Sequence, residues 1–314
     1  KQPIHVHFIG IGGISMSGLA EILLKEHFKI SGSDSKESEL TDNLTSMGAR
    51  IFYGQRAENI LPGTDLVVYT AAIKEDNPEF AAAKEAGIPM LSRAELLGQI
   101  MDNYRQSVAV AGTHGKTTTT SMISQILLCA AADPTLSVGG ILDAIGGNIR
   151  VGHSDIFVTE ACEYTNSFLH FHPRYSIILD IEAEHLDFFK DINDIRHSFH
   201  LFAKNTISDG AIIMNGQIER PEEITEGLSQ EVITYGLDPS FTYYAKDITY
   251  NEKACGRFSV YKNGEKLGEV ALSVPGEHNV YNSLAAIAVT EKMGISLEDI
   301  IHGQIGRASC RERV

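Results

Sequence analysis

The chain has 314 residues, 43% of them hydrophobic, enough for about two domains with cores of their own. Acidic residues outnumber basic ones 41 to 26, for a net charge of −15. That excludes a broad nucleic-acid-binding surface, but not a local nucleotide site built from a few backbone N–H groups. No segment reaches membrane-spanning length. The apolar start from Ile4 to Ile14 is broken by His5, His7 and glycines, so no membrane insertion and a cytoplasmic protein are expected. Cys129, Cys162, Cys255 and Cys310 lie far apart, without metal-ligand spacing, and are expected to be free thiols.

His5-Val6-His7-Phe8-Ile9 reads as a strand. It runs into Gly10-Ile11-Gly12-Gly13-Ile14-Ser15 and a helix through Met16, Leu19, Ile22, Leu23 and Leu24. Phe28 to Asp34 reads as a second strand ending in an acid. A Gly-x-Gly turn, helix, strand and acid about twenty residues on is the layout of a dinucleotide fold, with Ser15 in place of the third glycine. On these residues alone, an NAD enzyme with Asp34 on the ribose is a live alternative. Arg50–Tyr53, Asp65–Thr70 and Ile88–Leu91 continue the strands. Asn77-Pro78-Glu79 opens a helix, where proline fits because the first turn does not need its N–H, and another helix spans Arg93 to Met101. The polar stretch Asp102–Gln106 marks the boundary between an expected first domain, 1–104, and a second, 105–305.

Val108-Ala109-Val110-Ala111 reads as a buried parallel strand. Gly112-Thr113-His114-Gly115-Lys116-Thr117-Thr118 follows, then a helix with Met122, Ile123, Ile126 and Leu127 on one face. Strand, glycine loop, Gly-Lys-Thr and helix form a phosphate-binding loop. Backbone N–H groups point at the anion, the lysine lies over β and γ phosphates, and the hydroxyl after it reaches Mg²⁺. The general pattern wants glycine six residues before the lysine, where Val110 stands; Gly112 lies four before it. Asp133 to Asn148 is a glycine-rich region. Ile156–Thr159 is a strand delivering Glu160 and Glu163 at its carboxyl end, where open parallel sheets bind ligands. Glu160 is a candidate Mg²⁺ ligand, while Glu163 reads more readily as structural. Ser176–Ile181 is the next strand and feeds Glu182-Ala183-Glu184-His185-Leu186-Asp187. Ala211–Asn215 and Glu231–Gly236 extend the sheet. Phe241 to Val274 alternates like antiparallel strands with a tight turn at Asn263-Gly264, predicting a small β subdomain. A last long helix starts near His278, whose ring and the amide of Asn282 suit an adenine.

The shortened loop resembles that of the Mur ligase superfamily, which builds bacterial cell-wall precursors. Gly10 to Ala20, Ser31-Gly32-Ser33-Asp34, Ala71-Ala72-Ile73 and Asp76-Asn77-Pro78-Glu79 resemble the N-terminal signature of its alanine-adding branch. Gly276-Glu277-His278-Asn279 with Asn282 and Ala285-Ala286 is similar to a further superfamily signature. The resemblance covers about residues 4 to 300 and implies an α/β protein. Its Rossmann-like first domain would hold the UDP part of the substrate through Gly10, Gly12, Gly13, Ser33, Asp34 and Thr70. Its central ATPase domain would cradle phosphate with Gly112 to Thr118 and adenine with His278 and Asn282. Lys116, Glu160 and His185 would be catalytic, and Thr117, Glu160 and His185 would hold Mg²⁺.

The implied substrates are UDP-N-acetylmuramate, L-alanine and ATP, joined through an acyl phosphate. Sister ligases carry a carbamate-modified lysine about fifteen residues after the histidine. Here Ile195–His200 has none before Lys204, which favours the alanine-adding branch. A third, C-terminal ligase domain is expected to be missing, residues 306–314 to be a non-native tail, and the first residue, Lys1 rather than Met, to fit a fragment. A sister ligase, an NAD-dependent oxidoreductase and a non-catalytic nucleotide-binding fragment remain as rivals.

Overall fold

The computed structural model describes residues 3–305, so the expected tail, with Cys310, lies outside the described residues. Two compact units divide between Ile100 and Met101.

The first unit alternates strand and helix: β1 (His5–Ile9), α1 (Ile14–Lys25), β2 (Lys29–Asp34), α2 (Glu39–Ser46), β3 (Arg50–Tyr53), β4 (Leu66–Tyr69), α3 (Pro78–Glu85), β5 (Met90–Ser92) and α4 (Arg93–Met101). The five strands form one parallel sheet in the order β3-β2-β1-β4-β5. Strand order reverses at β1, so the loops after β1, β2 and β4 leave at a switch point, where such sheets bind ligands. Every residue of β1 is buried, as a central parallel strand requires. Two of them are histidines, and their partners explain how. His5 Nε2 and His7 Nδ1 share the Ser31 hydroxyl, each at 2.8 Å, and His7 Nε2 lies 3.0 Å from Glu79. The Glu79 carboxylate is fully buried. It also accepts from Ser33 Oγ at 2.7 Å, Asn59 Nδ2 at 2.6 Å and Arg56 N at 3.3 Å. Asn77 caps α3 by accepting from the N–H groups of Glu79 and Phe80, and Glu79, in the first turn of that helix, meets His7 in the middle of β1.

The second unit contains β6 (Gln106–Ala111), α5 (Lys116–Cys129), β7 (Thr135–Leu142), β8 (Gly147–Arg150), β9 (Ile156–Glu160), β10 (Tyr175–Ile178), α6 (Ile192–Lys204), β11 (Ala211–Asn215), α7 (Glu222–Thr225), β12 (Glu231–Gly236), β13 (Tyr243–Tyr250), β14 (Cys255–Lys262), β15 (Glu265–Pro275), α8 (His278–Lys292) and α9 (Leu297–Ile305). These strands make a mixed ten-stranded sheet, β15-β14-β13-β12-β11-β10-β6-β9-β7-β8. A single apolar core joins β6, β9 and β10 to α5 and α8.

Three features differ from the sequence reading. The glycine-rich stretch after α5 is an antiparallel hairpin, β7–β8. The antiparallel strands β13–β15, with φ positive at both Asn263 and Gly264 of their turn, join the main sheet through a parallel pairing of β13 with β12. And β10 stops at Ile178 rather than Ile181, which turns Leu179–His185 into loop. Cys162 and Cys255 are free thiols, as expected. Among the described residues, no helix is long and apolar enough to cross a membrane.

Burial alone would raise the pKa of Glu79, but hydrogen bonds from His7, Asn59 and Ser33 outweigh it and hold the carboxyl below its ordinary value of 4.5. Glu79→Ala is expected to destabilise the protein by about 3 kcal/mol, as breaking a buried paired charge does. Because the folded value lies below the unfolded one, the contribution is complete above the ordinary carboxylate range and is lost as pH falls through the folded value. Urea unfolding of both proteins checks this: their difference should narrow on acidification below about pH 4.5.

Candidate functional site

Parallel pairing aligns β6 with β9 through Val110 opposite Glu160, and with β10 through Ala111 opposite Ile178. The loops that follow therefore emerge side by side. Gly112 (φ +148°) and Gly115 (φ +81°) make the turn out of β6. A Cβ on Gly112 would lie 2.8 Å from both Leu179 Cβ and Asp180 Oδ1, and one on Gly115 would lie 2.7 Å from Asn282 Oδ1. Neither space admits a side chain. Gly115 is also the N-cap of α5 and offers no side-chain cap, and the first turn of the helix carries no acid. Its first N–H groups thus suit an anion.

The loop is stitched to the segment after β10. Thr113 N donates to Asp180 O at 3.3 Å and His114 N to Asp180 Oδ1 at 2.9 Å, while Thr113 Oγ1 accepts from Glu182 N at 2.9 Å. Lys116 Nζ donates to the carbonyls of Gly112 and Thr113, at 2.5 and 3.3 Å, and to both oxygens of Glu163, at 3.2 and 3.0 Å. Thr117 Oγ1 donates to Glu160 Oε2 at 3.1 Å, and the other Glu160 oxygen accepts from Gly139 N at 2.6 Å. Thr118 is half-buried on the next position of α5.

His185, in a left-handed backbone conformation, lies 3.6 Å from Glu163, and its ring centroid is 4.7 Å from that of Tyr164 with the planes tilted by 37°. Glu163, Glu184 and His185 bring ligand atoms within 4.8 Å of one another, as do His114, Asp180 and Glu182. Carboxylate and hydroxyl oxygens with an imidazole are donors that suit a divalent cation. Burial pushes the Asp180 carboxyl above its ordinary range, against the hydrogen bond from His114 N–H.

Beside the loop, a cleft of about 240 Å³ is bounded by Gly115, Asp180, Asn215, Tyr235, His278 and Asn282. His278 and Asn282 share one face of α8, four residues apart. Glu277, the N-cap of α8, makes no side-chain cap, so an ordinary capping role does not account for this helix start. The Tyr235 hydroxyl in the cleft is buried without a partner, a group for which a ligand could provide one.

The structure thus gathers Gly112, Thr113, His114, Gly115, Lys116, Thr117, Glu160, His185, His278 and Asn282 around one sheet edge. It adds Glu163, which sequence reasoning read more readily as structural, and Asp180, which it passed over. The repeat of acids at Glu160 and Glu163 was the available signal for the first; the second was hidden inside an apparent strand.

In the first unit, Gly10 N and Ile11 N donate to Ser33 O, and Gly12 N to Asp34 Oδ2 at 2.8 Å. Gly13 caps α1 without a side chain, leaving another helix start suited to phosphate. Thr70 follows β4 at the same edge of the sheet. Ser33 is a correction. It is fully buried and its hydroxyl donates to Glu79, so it presents its carbonyl to the glycine loop and no side chain to a ligand.

Residues 5–105 match the model described as "Mur ligase family, catalytic domain", and residues 110–290 match the "Mur ligase middle domain". The chain belongs to the Mur ligase family. Among curated relatives, the UDP-N-acetylmuramate–L-alanine ligases of Agathobacter rectalis and Lachnospira eligens are 67% and 60% identical over 96% of this chain. The chain spans 66% of the length of each.

Two solved Mur ligase structures share the fold. The UDP-N-acetylmuramate-alanine ligase of Thermotoga maritima has a TM-score of 0.81 at 30% identity, covering 96% of this chain and 68% of that one. The UDP-N-acetylmuramate:L-alanyl-gamma-D-glutamyl-meso-diaminopimelate ligase of Neisseria meningitides has a TM-score of 0.87 at 28% identity, covering 96% and 98%.

The Gly115 contact gives a direct test. Gly115→Ala must strain a left-handed backbone and push against Asn282, so it should lower unfolding stability by roughly 1–3 kcal/mol. The double variant with Asn282→Ala should recover part of the loss, leaving the backbone share; chemical denaturation of the three proteins reads both quantities.

Proposed function

We propose that the chain is the nucleotide-sugar-binding and ATP-binding part of an ATP-dependent ligase that joins L-alanine to the carboxylate of UDP-N-acetylmuramate, in peptidoglycan precursor synthesis. The observation that carries the reading is Lys116 and Thr117 at a helix start, opposed by Glu163 and Glu160 on the neighbouring strand's exit.

In this reading the lactyl carboxylate attacks the γ-phosphorus of ATP and ADP leaves. The amine of L-alanine then attacks the acyl phosphate, releasing phosphate and forming the amide. Such transfer rests mainly on positioning and charge neutralisation. Lys116 steadies the β and γ phosphates, and the N–H groups from Thr113 to Thr118 cradle them. His278 and Asn282 hold adenine in the cleft beside Gly115. The donor set fits Mg²⁺: Thr117 and Glu160 hold one ion and His185 a second. A bound Mg²⁺ supplies positive charge against the phosphate oxygens. Gly10, Gly12, Gly13, Asp34 and Thr70 face the UDP moiety in the first unit. The reading places the protein in the cytoplasm, where its nucleotide substrates are.

The peptide-adding ligase from Neisseria meningitides has the same fold, so the fold does not choose the acceptor. The 67% identity to a named L-alanine ligase, against 28% to the peptide ligase, is what favours L-alanine. An NAD-dependent oxidoreductase would leave Lys116 and its loop without a task.

Titration calorimetry tests the reading. The protein should bind a non-hydrolysable ATP analogue with Mg²⁺, and UDP-N-acetylmuramate, and should not bind NADH. Lys116→Ala should weaken the ATP analogue by at least about tenfold, the loss of a charged phosphate contact, and leave the UDP sugar unchanged. Binding of NADH with indifference to ATP would overturn it.

A further inference from the structure

Lys116 and His185 both approach one carboxylate, that of Glu163. Glu163 is 4% exposed at its side chain, gives both oxygens to the Lys116 ammonium, and holds His185 Nε2 at 3.6 Å. An ammonium has three N–H donors. Those of Lys116 are divided among Gly112 O, Thr113 O and the Glu163 carboxylate. A phosphate can bind this lysine only by taking an N–H from one of the three. The two carbonyls belong to the loop that carries the lysine and move with it. Glu163 comes from the exit of β9, 47 residues away in sequence, and is the partner that can be given up.

Glu163 also belongs to a second set. Its carboxylate, that of Glu184 and the His185 imidazole bring ligand atoms within 4.8 Å of one another. The two uses conflict. A divalent cation on Glu163 would sit within a few ångströms of the Lys116 ammonium, and like charges at that range repel. The ammonium already seated on Glu163 marks it as a cation-binding carboxylate.

We propose, building on the ATP reading above, that Glu163 is an exchanging ligand. It pairs with Lys116 until a nucleotide's phosphates take over the lysine, and then joins Glu184 and His185 around a divalent cation. The second cation therefore follows the nucleotide rather than preceding it. Glu163 thereby gains a role that neither its place beyond the strand end nor its pairing with Lys116 alone would assign. The order also has a use. Lys116 keeps a partner at every stage, and the cation is drawn in only when phosphate oxygens are there to share it.

Mn²⁺ counted per chain by electron paramagnetic resonance, on the whole protein, tests the exchange. The wild type should take up its second Mn²⁺ only in the presence of a non-hydrolysable ATP analogue. Lys116→Ala removes the competing ammonium, so it should bind one Mn²⁺ without nucleotide about tenfold or more tightly than the wild type. Adding Glu163→Gln or, at the exposed ligand, Glu184→Gln to Lys116→Ala should abolish that gain, with circular dichroism confirming that each variant is folded. The proposal is overturned if Lys116→Ala binds Mn²⁺ no better than the wild type, or if Glu163→Gln still binds two Mn²⁺ with the analogue. A wild type that binds no analogue at all would instead sink the ATP reading, and the comparison of Lys116→Ala with its double variants would still decide whether lysine and cation compete for Glu163.

Discussion

Everything at the candidate site depends on the parallel register of three strands. β6 lies between β9 and β10, with Val110 opposite Glu160 and Ala111 opposite Ile178. Parallel strands end at one edge, so the loops that begin at Gly112, Ala161 and Leu179 leave together although they are far apart in sequence. Lys116 can reach Glu163 and Thr117 can reach Glu160 because the hydrogen-bond ladder has already brought those strand ends side by side. A shift of one residue in either pairing would turn the strand's side chains to the opposite face and dissolve the site while leaving a sheet.

Close approach then decides which residues the loop tolerates. The glycines around the phosphate loop are where another element's side chain comes within contact. Gly112 meets Leu179 and Asp180, Gly115 meets Asn282, and Gly139 meets Glu160, whose carboxylate would be 2.6 Å from a Cβ there. The hairpin β7–β8 thus serves the site by backbone: one N–H orients the carboxylate that Thr117 also binds. Supporting contacts of this kind hold a ligand residue in one rotamer.

How much of this was legible in the sequence follows from how local each feature is. The alternation of strands and helices, the loop before Lys116, the acid at Glu160 and the histidine at His185 are written in adjacent residues. The hairpin β7–β8 was not, because glycines at 139, 140, 146 and 147 hide the alternation that marks a strand. The antiparallel strands were legible. Their union with the main sheet was not, because it rests on two residue pairs, Tyr235 with Tyr243 and Gly236 with Tyr244. Glu163 read as structural because its meaning lies in a lysine 47 positions earlier. Ser33 read as a ligand residue because it stands in a stretch, Ser31 to Asp34, that resembles the family's signature, while its hydroxyl answers to Glu79.

The same side chain does opposite work in the two units. Glu79 is a buried carboxylate with donors from Ser33, Asn59, the Arg56 backbone and His7; its charge is compensated within the protein, so it binds the fold together and has nothing left to offer. Around the phosphate loop, Glu160, Glu163, Asp180, Glu182 and Glu184 share one lysine and two histidines. Two like charges 4 Å apart cost about 4 kcal/mol at the effective dielectric near a protein surface, so a triphosphate brought alone to that edge would be repelled by most of what lines it. The site's own chemistry therefore requires that an anionic ligand arrive with cations or recruit them. In the proposed reading, a chain of net charge −15 would hold a polyanion in this way: the excess carboxylates at this edge would bind the ions that make the phosphates acceptable.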